Sequence, residues 1–332
     1  LDADTGKLSA PELAATTPDP SFLAFTPDEK YLYAANEFGG NHAGLVSAFA
    51  VNHTSGQLTP LNQKDSGGLA PCHVSVDADG RTVFVANYNS GTIKAIPLNT
   101  DGSLGDGGEL IQHHGHSVNV SRQAGPHAHF AAVDPFNHFV LACDLGLDKV
   151  MVYRLENSQL ATNASSFASV PGGAGPRHLT FSRDGKFVYV VNEMACAVSV
   201  FSWDAGKLTA LETVSALPAG VAANPGYSGA EILVHPSGKF VYATVRGHDS
   251  ITVFSVAPTT GQLTLVQNIS AGGKIPRGLG IDPTGRWLIT ANQKSGNVVE
   301  FSIDTATGLI TPTKTEWPVG SAVDVKFASI AK

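Results

Sequence analysis

The 332-residue sequence predicts an all-β fold: a seven-bladed β-propeller of four-stranded antiparallel blades, forming a single domain over residues 1–332. Three observations carry that expectation. A unit of about 50 residues recurs along the chain, each copy holds four short strands separated by turns, and no segment shows sustained helical periodicity with caps. Length alone, at about 150 residues per domain, would suggest two domains, but an internal repeat overrides that prior.

The unit emerges when Ser21–Asn36, His178–Asn192 and Gly278–Asn292 are aligned. Each reads as a short apolar strand, a polar turn ending in a basic residue, a second apolar strand, and Asn. The basic turn position recurs at Lys30, Arg81, His138, Lys186, Lys239 and Arg286, with spacings of 51, 57, 48, 53 and 47. A third strand follows, as in Ala197–Ser202 and Ile251–Val256, then a Gly turn such as Ala205-Gly-Lys-Leu-Thr209 or Thr260-Gly-Gln-Leu-Thr264, then a fourth strand. Glycine there supplies the positive φ that a tight hairpin needs. Four antiparallel strands per unit make a propeller blade.

Six copies are complete. The chain opens on Asp4-Thr-Gly-Lys-Leu-Ser9, which matches the turn into a fourth strand, and closes on Val323–Ser329, which matches a first strand. A seventh blade closed by both termini is therefore expected, with its inner strand near Val323–Ser329, its outer strand near Lys7–Leu13, and its second and third strands lacking in this chain.

Composition narrows the function. With 42% hydrophobic and 15% charged residues the chain is globular, and a net charge of −7 with 21 Lys and Arg in no basic run argues against a nucleic-acid partner. No stretch of about 18 apolar residues offers a membrane span. The first residues lack the pattern of a signal peptide, and there is no initiator Met, which leaves room for a removed leader. The cytoplasm is the expected compartment. Cys72, Cys143 and Cys196 are odd in number and far apart, and read as buried free thiols. Four Asn-x-Ser/Thr sites, at Asn52, Asn119, Asn163 and Asn268, are little more than chance would give.

In a four-stranded meander, the loop entering the first strand and the loop leaving the second lie on one face. The entering loops carry Cys72-His73, Pro126-His-Ala-His129, Pro176-Arg-His178, Ala230-Glu231 and Pro276-Arg277. Those leaving carry Asn36-Glu37, Asn87-Tyr88, Asp144, Asn192-Glu193, Arg246-Gly-His248 and Asn292-Gln293. The opposite face has only generic turn residues. This asymmetry implies a polar mouth for a small, oxygen-rich ligand. Arg177, Glu193, Arg246 and Arg277 supply guanidiniums for a carboxylate or phosphate and a carboxylate beside them, while His73, His127, His178, Asn292 and Gln293 are further candidates for binding substrate. His113-His-Gly-His116 reads as a solvated loop rather than a metal site, and Gly226-Tyr-Ser-Gly-Ala230 narrowly misses a nucleophile elbow.

At these residues the sequence resembles, along its whole length, the lactonase family of seven-bladed propellers. Its activities include hydrolysis of 6-phosphogluconolactone and lactonization of carboxy-muconate. The segments that carry the resemblance are Gly173-Ala-Gly-Pro-Arg-His-Leu-Thr-Phe181, Val190-Val-Asn-Glu193, Val245-Arg-Gly-His-Asp-Ser-Ile251 and Ile275-Pro-Arg-Gly-Leu279. The resemblance implies a catalytic set of His129, Arg177, Glu193 and Arg246, with His127 competing with His129, and an enzyme of carbohydrate metabolism in the pentose phosphate pathway. Lactone hydrolysis needs an activated water and a stabilised oxyanion. Glu193 or His129 could take the proton, and the two arginines could hold the oxyanion or an anionic tail, in either order. Neither metal nor cofactor is required. A muconate-type cyclase and a non-catalytic binding propeller are the alternatives.

Overall fold

The computed structural model describes residues 1–162 and 166–329, so Asn163 lies outside the described residues. As the repeat predicts, the fold is all-β, built of successive four-stranded antiparallel propeller blades, with no helix among the described residues. Each blade is a meander in chain order. Blade one comprises Pro20–Phe25, Tyr31–Asn36, Ala43–Val51 and Leu58–Leu69; blade two Pro71–Val76, Thr82–Asn87, Thr92–Pro97 and Leu110–Gln112. In blade three Ala128–Val133, Phe139–Asp144 and Lys149–Glu156 are joined by both Gln159–Leu160 and Ser166–Ser169, a five-stranded variant. Blade four comprises Pro176–Phe181, Phe187–Asn192, Ala197–Asp204 and Lys207–Ser215. Blade five runs through Ser228–Val234, Phe240–Arg246, Ser250–Val256 and Leu263–Ser270, and blade six through Pro276–Ile281, Trp287–Asn292, Asn297–Ile303 and Ile310–Pro318.

The chain divides into two compact units. One holds blades one to three, essentially Leu13–Pro176. The other holds blades four to six with the N-terminal segment, as Leu1–Glu12, Arg177–Asp204 and Leu208–Phe327. In the first unit, Tyr33, Val46, Val83, Val85 and Ile96 form one core cluster, and Phe84, Ile93, Val140 and Tyr153 lie in another. In the second, Tyr189, Val198, Val241 and Phe254 form one cluster, and Tyr242, Val253, Leu288 and Phe301 another. Burying each such side chain contributes roughly 1.5–3 kcal/mol, and the β-branched and aromatic run of every second strand supplies them.

The polar turns recur for a local reason. Asp77, Asp134 and Asp282 each accept from two backbone N–H groups, four and five residues on, and so close the turn between the first and second strands. The third-to-fourth-strand glycines have a second role. Gly102 packs on Tyr31, Gly261 on Phe187 and Gly308 on Phe240, so close that a Cβ would lie within 2.4 Å of the ring. Each ring opens the second strand of the preceding blade.

The expected half-blade needs correcting. Segments 7–13 and 323–329 are not strands, and the described residues form six sheets. The physical reason is that the first and fourth strands of a blade pair with the second and third and not with each other, and no such second and third strands lie between these segments. Both ends are nonetheless docked on blade six. Gly6 sits under Trp287, whose Nε1 donates to Ala3 O at 3.0 Å, while Trp317 Nε1 donates to Leu8 O at 3.2 Å. Segment 323–327 runs along Pro276–Ile281. A Cβ on Gly278 would lie 2.5 Å from Val323 O, and one on Gly280 2.5 Å from Val325 Cγ1.

Candidate functional site

The first strands of five blades share a local irregularity that decides where their polar residues point. In blade one the register steps past Ser21, in blade two past Cys72, in blade three past His129 and in blade six past Arg277. Each is a β-bulge, which takes one side chain out of the ladder. In blade five, Ala230 and Glu231 together oppose Thr244, whose hydroxyl takes the Glu231 N–H at 3.0 Å in place of a ladder carbonyl. The candidate residues fall in both compact units, and each unit presents its own group.

In the unit of blades four to six, three predicted residues meet. Glu193 follows the second strand of blade four, and its Oε2 carries two ion pairs: Arg246 Nη2 at 2.7 Å and Arg177 Nε at 3.2 Å. The first is a hydrogen bond; the second is an ion-pair contact without hydrogen-bond alignment. Arg177 also donates through Nη1 to Ala230 O, and Arg246 through Nη2 to Gly229 O at 3.2 Å. The Gly229 N–H in turn donates to Glu193 O at 2.8 Å. Two guanidiniums around one carboxylate leave a net positive cluster. Burial, and next the repulsion of Arg246, outweigh the pull of Glu193 and push Arg177 down to about 10. The arginines differ in access. The Arg177 side chain is 2% exposed and that of Arg246 16%.

Arg277 is half-buried and acts electrostatically on both Arg177 and His178. His178 is buried with Nδ1 3.0 Å from Glu231 Oε1. Asn292 is buried, and its amide donates to Ala271 O and Thr290 Oγ1, tying the loop as Asn87 and Asn192 tie theirs. The Gln293 backbone N–H donates to Ile275 O at 2.9 Å.

In the unit of blades one to three, Tyr88 organises the histidines. His127 stacks on its ring at 4.5 Å with Nδ1 3.0 Å from Tyr88 O, and His129, buried, meets the same ring edge-on at 5.6 Å. Asp144 Oδ1 accepts the His127 N–H at 2.8 Å, which fixes the entry to this strand. His73 is packed between the rings of Phe22 and Phe130, at 4.3 and 4.2 Å. The His-rich loop is not wholly solvated as expected. His113 is buried between Asp144 Oδ2 at 2.6 Å and the Tyr153 hydroxyl at 2.8 Å, because the acidic end of the blade-three strand offers it a partner. No group of three or more metal-ligating side chains occurs among the described residues.

Reasoning from sequence did not assign site roles to Tyr88, Gly229 and Glu231. The only available signal for Glu231 was a carboxylate at the strand position where other blades carry Phe22, His73, Phe130 and His178. Gly229 gave none, because its importance lies in a close approach. A Cβ there would come 2.7 Å from Asn192 O.

The family described as lactonase, 7-bladed beta-propeller, matches residues 1–327. A 6-phosphogluconolactonase of Bacillus subtilis is 37% identical over 329 residues, 98% of this chain and 92% of the relative. One of Formosa agariphila is 31% identical over 87% of this chain and 82% of the relative. The solved structure of a periplasmic gluconolactonase from Pseudomonas aeruginosa superposes with a TM-score of 0.91 at 32% identity, over 99% of this chain and 94% of that one. The chain belongs to the lactonase family of seven-bladed β-propellers.

Proposed function

We propose that the protein hydrolyses a sugar lactone, 6-phosphogluconolactone or its unphosphorylated counterpart, with Glu193, Arg177 and Arg246 as the reacting cluster. The observation that carries this reading is the pair of guanidiniums on one carboxylate oxygen, in a lactone hydrolase similar to 6-phosphogluconolactonases. Lactone opening proceeds by attack of water on the ring carbonyl, and negative charge gathers on the carbonyl oxygen as the tetrahedral intermediate forms. Glu193 takes the proton of the attacking water. Arg246, the more accessible guanidinium, holds the developing oxyanion, and Arg177, enclosed and bonded to Ala230 O, fixes Glu193. The two arginines, interchangeable in sequence, thus receive different tasks.

His129 takes its role from the family resemblance, as a second acid or base, and the Tyr88 ring orients it. The seven-blade count belongs to the same reading. Gly6 packs on Trp287 as Gly102, Gly261 and Gly308 pack on the ring of the preceding blade, which supports reading residues 4–9 as the hairpin of a seventh blade, with segment 323–327 in the position of its innermost strand. The acidic charge balance and three buried free thiols favour the cytoplasm. No helix is long and apolar enough to cross a membrane among the described residues.

The deciding experiment is hydrolysis of glucono-δ-lactone and its 6-phosphate, corrected for spontaneous opening. Glu193→Gln should lower kcat by about 10²–10⁴, the usual contribution of a general base, and Arg246→Ala by about 10²–10³ for a lost oxyanion donor. Wild-type rates in both variants would overturn the site assignment.

A further inference from the structure

We propose that Glu231 is a positioning residue for this cluster, acting through Arg177; the inference rests on the assignment of Arg177, Glu193 and Arg246 to the site. The backbone of the blade-five bulge brackets all three groups. Gly229 N–H holds Glu193 O, Gly229 O holds Arg246, and Ala230 O holds Arg177. A bulge is a soft part of a strand, because its extra residue leaves the ladder. Here the ladder skips from Gly229 to Ile232, so the carbonyls that aim both guanidiniums need another restraint.

Glu231 supplies it from within the bulge. Its Oε1 accepts from Ile232 N–H at 3.0 Å and lies 3.0 Å from His178 Nδ1, on the residue next to Arg177. One carboxylate oxygen thereby pins the bulge of blade five to the first strand of blade four, one residue from the guanidinium it must hold. The other oxygen, Oε2, is buried and without a hydrogen-bond partner. Such a group is costly to keep, and a purely structural contact at this position needs no polar side chain. The equivalent layer of blades one to three is a stack of Phe22, His73 and Phe130. The pair also faces Arg177, Arg246, Arg277 and, from the C-terminal segment, Lys326, itself 3.1 Å from Asp324.

The test uses Glu231→Leu, Glu231→Gln, Arg177→Ala and the double variant Arg177→Ala/Glu231→Leu, with kcat and KM for glucono-δ-lactone measured beside the melting temperature. Glu231→Leu should lower kcat by about ten- to a hundredfold, the scale of a small misplacement of catalytic groups. Glu231→Gln, whose amide oxygen still accepts from His178 and Ile232, should retain kcat within about threefold. In the Arg177→Ala background, Glu231→Leu should cost nothing further, because its effect passes through Arg177. Should Glu231→Leu fail to fold, His178→Phe, which installs the residue blades one and three carry, cuts the same link and should show the same loss. Wild-type kcat in the folded Glu231→Leu variant, or an equal fractional loss in both backgrounds, would overturn the proposal. Wild-type kcat in Arg177→Ala would instead overturn the site assignment beneath it.

Discussion

His178 and Glu231 have opposed titrations that a single protein can separate. Burial, and next Arg177, hold His178 well below the usual 6.5, so the folded state refuses a proton that the unfolded chain accepts. Its contribution to stability is complete above pH 6.5 and is lost as pH falls, at up to about 1.4 kcal/mol per pH unit. Burial raises Glu231 above 4.5 against the pull of Lys326 and Arg177, so the folded state keeps a proton that the unfolded chain releases. That contribution is present at low pH and is lost as pH rises through 4.5 toward the folded value. The Glu231 slope, which begins above pH 4.5, and the His178 slope, which begins below pH 6.5, have opposite signs. Glu231→Gln should therefore unmask a loss of stability on acidification below 6.5, and His178→Phe a loss as pH rises above 4.5. Urea midpoints across this range check both signs, and three parallel profiles would contradict the assignment. The sequence showed His178 as a polar residue at a strand entrance but not its partner, since Glu231 lies 53 residues away and only the packing of adjacent blades joins them.

At the scale of the element, the bulge rather than the strand governs the site. At Gly229 the blade-five backbone comes close to the backbone of blade four, and a methyl group there would meet Asn192 O at 2.7 Å and Val191 Cγ2 at 2.9 Å. Backbone must move to admit it, and the Gly229 N–H to Glu193 O bond is the first contact to suffer. Gly229→Ala should lower kcat for lactone opening by about tenfold or more, the scale of a displaced catalytic group, while Gly39→Ala, with open space around its Cβ, leaves kcat unchanged. Steady-state hydrolysis of glucono-δ-lactone by the two variants checks the contrast, and equal rates would show that the close approach does not matter. Strand order and turn chemistry were legible because period-two runs and Asp or Gly turns are local signals. Bulges were not, because register depends on the partner strand. His129 and Arg277 were thus found by residue type, while the irregularity that turns them out of the ladder was invisible.

For the molecule as a whole, the ends of the chain were legible in identity but not in state. Asp4–Ser9 and Val323–Ser329 match the fourth-strand turn and the first strand of the repeat, yet neither forms a ladder. What holds the C-terminal segment is a groove that two missing side chains create. Gly278 and Gly280 stand where the first strand of blade four carries His178 and Thr180, and Val323, Val325 and Phe327 fill the space. Because the segment lacks the ladder bonds of a strand, this fit contributes to its retention, beside the bond from Ser329 N–H to Glu29 Oε2 at 2.8 Å. Gly280→Val would set new methyl groups against Val325, where a Cβ alone already falls 2.5 Å from Cγ1, and should expel the segment. Limited trypsinolysis reports this directly, because cleavage after Lys326 requires local freedom of the chain around the bond. The variant should release the peptide beginning at Phe327 at least about tenfold faster than wild type, the rate following the population of the opened segment. Equal cleavage rates would mean that the glycine groove does not hold the segment.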